Sequence, residues 1–283
     1  MPHGGIRPFP LLGRDMTRFL IVPQWQGSPS ARAMLLTDGA AAIAGDLPRR
    51  DTVVLDAPLE AGDALGTGVR RLSSLLRTRE LLAERMPGVD EPVVVIGGDC
   101  SVTVLALSAL DTQDLAVLWC DAHPDLHVPE SSPSGAFAGM ALRAVLGDGE
   151  PALALSPGVP AERVVLLGAR SVDAGEQEPL RLIRAISADD AQDADAVAEA
   201  IRATGAGRVW VHIDVDVLDP PEFEGVSEAA PFGVGVAALT AAVKRVRADV
   251  PLAGATIAGF APRTPADAVL DMGAILRLIG ALV

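Results

Sequence analysis

Short apolar runs, rich in β-branched residues and separated by longer stretches of helical pattern, recur along this chain and limit the folds open to it. Val93-Val94-Val95-Ile96 is the clearest of them. A strand with one wet face alternates apolar and polar residues, because successive side chains point to opposite faces. A run without alternation has both faces covered, as in a parallel sheet sandwiched between helices. Such runs fall at Phe19–Val22, Thr52–Leu55, Val93–Ile96, Ala116–Cys120, Val164–Leu167, Leu182–Ile186, Val209–Ile213 and Thr256–Phe260. Helical segments are expected between and after them, at Ala31–Ala44, Gly66–Met86, Val102–Leu110, Gly135–Leu146, Ala191–Ala203, Val236–Ala248 and Pro265–Val283. The alternation predicts an α/β fold, a three-layer αβα sandwich around a mostly parallel eight-stranded sheet.

A length of 283 residues leaves one domain or two open. No linker-like segment interrupts the pattern, so residues 19–283 read as a single domain, and the Pro- and Gly-bearing residues 1–18 as a poorly ordered lead-in. Hydrophobic residues make up 49% of the chain and charged ones 21%, enough apolar material for a large core. The net charge of −14 argues against nucleic acid or an anionic membrane surface as partner, since both require clustered Lys and Arg. A metal cation or a cationic small molecule suits it better. No apolar run reaches the roughly 20 residues of a membrane span. Cys100 and Cys120 are the only cysteines and no apolar leader opens the sequence, so a reduced, cytoplasmic protein is expected.

Two strand ends carry concentrated acidity. Cys120-Asp121-Ala122-His123-Pro124-Asp125-Leu126-His127 follows one apolar run, and His212-Ile213-Asp214-Val215-Asp216-Val217-Leu218-Asp219-Pro220 ends another. In extended chain, residues two apart share a side, which would gather Asp121, His123, Asp125 and His127 on one edge and Asp214 with Asp216 on the other. Strand-ending Asp residues often merely cap turns, and Asp219-Pro220 is read that way. For D-x-H-x-D beside D-x-D a divalent cation is the better reading, because so many crowded carboxylates repel one another unless a cation neutralises them. In open parallel sheets ligands bind beyond the carboxyl ends of the strands, where both clusters would fall. A third element, Gly97-Gly98-Asp99-Cys100-Ser101, lets a buried strand turn tightly into a helix. It lacks the lysine of a phosphate-cradling loop, and Cys100 reads either as a ligand or as an inert core thiol.

Together Gly97-Gly98-Asp99-Cys100-Ser101, Asp121-Ala122-His123-Pro124-Asp125 and Asp214-Val215-Asp216-Val217-Leu218-Asp219-Pro220 resemble, in order and spacing, the signature motifs of the arginase, agmatinase and formimidoylglutamase (ureohydrolase) family. The resemblance implies two Mn²⁺ ions bridged by a hydroxide that attacks a guanidinium carbon. By that likeness Asp121 and Asp214 would bridge the ions, His123 and Asp216 would complete one shell, and Cys100 and Asp125 the other. Asp125, Asp216 and His127 would handle protons. Asp173 and Glu176 would reach a substrate α-amino group, Ser134 an α-carboxylate, and His127 the substrate itself, although a solvated loop histidine is an equal reading of His127. A homotrimer or hexamer is implied as well.

The chain also departs from the family's pattern. Cys100 stands where His is usual, and thiolate is a softer ligand than Mn²⁺ prefers, so one site is expected to be weak or to favour Zn²⁺ or Fe²⁺. Ala138 replaces a proton-shuttling His, and Gly259 replaces a Glu that grips the substrate guanidinium. The expected activity is hydrolysis of a non-peptide C–N bond in a small guanidino or amidino compound, such as N-hydroxyarginine. The alternative is a catalytically degenerate arginase-like binding or structural subunit. A deacetylase-like mononuclear zinc hydrolase would use D-x-H and one Asp but leave Asp125 and Asp216 without a purpose.

Overall fold

The computed structural model describes residues 18–86 and 92–283; of the expected N-terminal lead-in, all but Arg18 lies outside the described residues. Strands β1 (Arg18–Ile21), β2 (Thr52–Val54), β3 (Val93–Ile96), β4 (Leu115–Cys120), β5 (Val164–Leu167), β6 (Arg184–Ile186), β7 (Arg208–Asp214) and β8 (Leu252–Ala258) form one sheet in the order β2-β1-β3-β8-β7-β4-β5-β6. Every pairing is parallel. The helices are α1 (Leu35–Gly45), α2 (Leu72–Ala83), α3 (Ser101–Leu107), α4 (Ala141–Val145), α5 (Gln177–Leu180), α6 (Ala194–Arg202), α7 (Val236–Asp249) and α8 (Pro265–Leu282).

The unbroken apolar runs are buried on both faces, as their lack of alternation requires. Along β4, Leu118 and Cys120 belong to the apolar core shared with α1, α6, α7 and α8, whereas Val117 and Trp119 belong to the one shared with α2, α3 and α4. Successive residues of one strand thus feed two cores, which makes the architecture three-layered. Local signals mark the helix starts: Asp193 accepts the N–H groups of Asp195 and Ala196 at α6, and Thr264 with Pro265 opens α8.

Three boundaries differ from the sequence expectation for identifiable reasons. β8 begins at Leu252 rather than Thr256, in a weakly apolar stretch where Gly254 lies under Trp210. A Cβ at Gly254 would come within 2.4 Å of that indole, so smallness there serves packing. α2 starts at Leu72 because Arg71 adopts a left-handed φ of 59°, its guanidinium reaching back to the carbonyls of Gln26 and Ser28. The segment expected to be helical from Gly135 becomes helix only at a 3-10 turn over Ala138–Met140, after Ala138 N–H bonds Gly27 O.

β3 and β4 follow one another in the chain but are separated in the sheet by β8 and β7. A crevice beyond the carboxyl ends of strands around such a reversal is the usual ligand position in open parallel sheets.

Candidate metal centre

A cavity of about 430 Å³ opens at that end, lined by Cys100, Asp121, His123, Asp125, Asp214 and Asp216 in its depth, with His127, Ser134, Asp173 and Glu176 also on its walls. All ten residues nominated by the sequence therefore face one space. Asp121 leaves β4 with its N–H bonded to Leu167 O, and Asp214 closes β7 beside it. Cys100 arrives from the turn that follows β3.

The backbone brings the carboxylates together by tight turns and not by the extended alternation expected from sequence. Asp125 has a left-handed φ of 53°. Val215–Val217 is a 3-10 turn, and Asp214 Oδ1 accepts the Asp216 N–H at 3.0 Å. The two strand ends are interlocked: Asp216 Oδ1 accepts Ala122 N–H at 3.0 Å, Asp216 Oδ2 lies 3.0 Å from His123 Nδ1, and Asp121 Oδ1 accepts His123 N–H at 2.7 Å.

Burial and mutual repulsion control the protonation of these groups. Burial pushes the Asp214 carboxyl well above the usual carboxylate range, and the charges of Asp216 and Asp121 push it further. Burial and then the charge of Asp121 do the same to Asp125. Asp216 rises to about 6 by burial and the proximity of Asp121. Burial would also raise Asp121, yet the neighbouring His123 and His212 imidazoles hold it well below the usual range. Burial opposes charge on His123, but Asp121 and Asp216 outweigh it and raise the imidazole to about 12. Burial lifts the Cys100 thiol well above its ordinary value, with Asp125, Asp214 and Asp121 adding to the effect.

Burial and mutual repulsion thus favour the protonated forms of Asp125, Asp214, Asp216 and Cys100, a balance that a bound cation would reverse. The donor set fits divalent metal. Cys100, Asp121 and His212 offer ligand atoms within 4.8 Å of one another, as do Asp121, His123 and Asp216, so that Asp121 is common to both groups. Asp125 Oδ2 and His212 Nε2 are buried without any hydrogen-bond partner.

The outer residues are arranged differently. His127 Nε2 lies 3.1 Å from Asp173 Oδ2 and its Nδ1 lies 3.0 Å from Ser131 Oγ. Glu176 is buried and ties two loops together, Oε1 accepting Leu126 N–H and Oε2 accepting Asp173 N–H. Ser134 Oγ accepts Ala136 N–H. Asp173 keeps most of its side chain exposed, at 63%.

Three contributors escaped the sequence reading. Trp119 donates its indole N–H to Asp121 Oδ2 at 3.3 Å, and His212 stacks on that indole with ring centroids 3.8 Å apart. Each stands two residues before a site carboxylate on its strand, a periodicity that nominates both. Arg170 carries no such local signal. Its guanidinium donates to the carbonyls of Gly168, Asp216, Val217, Leu218, Ala230 and Pro231, fastening the loop that carries Asp216.

The departures at positions 138 and 259 also acquire a physical form. Ala138 and Gly259 both line the cavity. Gly259 has φ +83°, and a Cβ there would lie 2.1 Å from Asp214 Oδ1. The carboxylate of Asp214 thus occupies the space that a side chain at 259 would need.

Residues 43–276 match the arginase family model. The chain is 33% identical over 206 residues to the N(omega)-hydroxy-L-arginine amidinohydrolase of Streptomyces lavendulae, an alignment spanning 69% of this chain and 72% of that protein. It is 37% identical over 186 residues to the arginase of Bacillus caldovelox, spanning 59% of this chain and 60% of that one. The arginase of Entamoeba histolytica, solved in complex with L-ornithine, shares the fold at a TM-score of 0.81 and 22% identity, over 94% of this chain and 99% of that one. On the family match and the first of these relatives, the chain belongs to the arginase family and is, with it, a hydrolase.

Proposed function

We propose that this protein hydrolyses a non-peptide C–N bond in a small guanidino or amidino compound with an amino-acid-like end, N-hydroxyarginine being the best candidate, using two Mn²⁺ or similar divalent ions. The observation that carries the reading is the convergence of Cys100, Asp121, His123, Asp125, Asp214 and Asp216 on one cavity of about 430 Å³. In this reading Asp121, His123, Asp214, Asp216, Cys100 and Asp125 would together hold the ions, with Asp121 common to the two ligand groups that the geometry gathers. When bound, such a pair of ions supplies an acidified water and stabilises the charge that develops at the carbon under attack.

The chain's own groups do the rest. By the family likeness Asp216, which lines the cavity beside His123, would handle a proton of the reaction. The unpartnered Oδ2 of Asp125 faces the same task inside the cavity. Asp173, exposed and steadied by His127, receives a substrate ammonium, and Glu176 holds the loop that presents it. Ser134 receives the carboxylate end.

No carboxylate projects from position 259 to grip a guanidinium. A fully charged guanidinium loses a charge-assisted contact there, of the order of 1.5–3 kcal/mol. A hydroxylated, less basic guanidine loses less, which favours the substrate named for the Streptomyces lavendulae relative. The test is a panel of N-hydroxyarginine, arginine, agmatine and formimidoylglutamate, incubated with chelated and with Mn²⁺- or Zn²⁺-reloaded protein. Metal-dependent release of hydroxyurea, urea, formamide or ammonia, fastest from N-hydroxyarginine, is the expected result; no metal-dependent release from any compound overturns the reading.

A further inference from the structure

We infer that His212 is itself a metal ligand: with Cys100 and Asp121 it forms a soft, zinc-type inner site beside a more oxygen-rich outer one. The inference rests on the metallohydrolase reading above and specifies which atoms of this chain bind the inner ion.

His212 lies on β7, two residues before Asp214, and is completely buried. Its ring is fixed on both sides. The face stacks on Trp119, and Nδ1 lies 2.7 Å from Thr103 Oγ1 on α3. Nε2, in contrast, has no partner, although an unmade hydrogen bond on a buried nitrogen is costly. It stands 3.8 Å from Asp121 Oδ2, too far for a hydrogen bond. Cys100 Sγ is 3.6 Å from the same oxygen. Both separations lie within the roughly 3.3–3.8 Å between ligands of a tetrahedral ion with bonds of about 2.0–2.3 Å.

Nδ1–H donation to Thr103 would leave the Nε2 lone pair free, the usual arrangement of a metal-bound imidazole held by a neighbouring acceptor. The set then contains thiolate, imidazole and carboxylate. Softness favours Zn²⁺ over Mn²⁺ at such a site. His212 in this way supplies from the strand the imidazole that position 100 lacks.

The test uses the full-length protein, chelated and then titrated with Co²⁺ and with Zn²⁺ against a chromophoric competitor. Wild-type protein is compared with His212→Phe, which keeps a ring on Trp119, and His212→Asn, which keeps a hydrogen-bond donor. Circular dichroism reports folding. Both variants are expected to bind the first equivalent of Zn²⁺ at least tenfold more weakly and to alter the near-ultraviolet thiolate-to-cobalt band. Binding by the Asn variant equal to wild type would overturn the inference, because a donor alone would then suffice. Should the variants fail to fold, zinc-edge X-ray absorption of wild-type protein at one equivalent decides it. Sulfur with imidazole in one shell is expected, and sulfur without imidazole overturns the inference. Wild-type protein that takes up neither metal overturns the metallohydrolase reading as well, whereas uptake independent of His212 overturns only the ligand assignment.

Discussion

Cys100 Sγ lies 3.1 Å from Asp214 Oδ2, a thiol from the turn after β3 donating to the carboxylate that ends β7. Burial and surrounding negative charge raise both groups well above their ordinary values, so the proton between them is firmly held when no cation is near. The same two atoms are nominated as ligands, and a ligand must shed its proton to bind.

Metal uptake is therefore expected to release protons and to tighten as pH rises. Calorimetric titration of the chelated protein with Zn²⁺, in buffers of different ionisation enthalpy, measures the release. At least one proton per ion at neutral pH is expected, and none would contradict the account.

The stability of the chelated protein should move the opposite way. Asp216 ionises at about 6 in the fold against 3.8 in an ordinary carboxyl. Its contribution, about 3 kcal/mol, is present below the lower value and is lost as pH rises through the higher one. Asp125 and Asp214, raised by the same burial, extend the loss to higher pH. Thermal unfolding between pH 4 and 8, with chelator and with Mn²⁺ or Zn²⁺, should show the gap between the two widening as pH rises. A gap independent of pH would contradict this.

Asp125→Asn separates stability from binding. Asp125 is buried, its Oδ2 is unpartnered, and its left-handed backbone suits Asn as well as Asp. At pH 8 the chelated variant should melt higher than chelated wild type, by about 2–4 °C for each kcal/mol gained. Its affinity for metal should fall at least tenfold. A lower melting temperature would mean that the carboxyl stabilises the fold in its own right.

Gly259→Ala should cost about 1–3 kcal/mol, since a positive φ of 83° is strained for any residue with a Cβ. The Cβ would also displace Asp214. Denaturant unfolding and metal titration should both respond, whereas an effect on stability alone would show that Asp214 has room to adjust. The same crowding predicts that reinstating Glu at 259 alone weakens metal binding.

Much of this was legible in the sequence because burial on both faces removes alternation. All eight expected strands are present, and the two acidic strand ends lie side by side, β7 pairing with β4. The reason offered for convergence within each motif was incomplete, because left-handed Asp125 and the 3-10 turn at Val215–Val217 do the aiming. The 3-10 turn is held in part by the local bond of Asp216 N–H to Asp214 Oδ1, whereas the bond of Ala122 N–H to Asp216 that joins the two motifs is tertiary, and no local pattern encodes it. Arg170 carries no local signal for the same reason, since five of its six carbonyl acceptors lie 46 to 61 residues away in the chain. The deacetylase-like reading falls to the family match.

In the proposed function the carboxylates gathered at the ends of β4 and β7 hold divalent cations. Elemental mass spectrometry of the protein, chelated, reloaded and freed of loose metal, counts those cations. Two ions per chain, falling to one or fewer in Asp121→Asn, is the predicted result. A folded protein that retains no ion, and whose melting temperature is unmoved by Mn²⁺ or Zn²⁺, would contradict it.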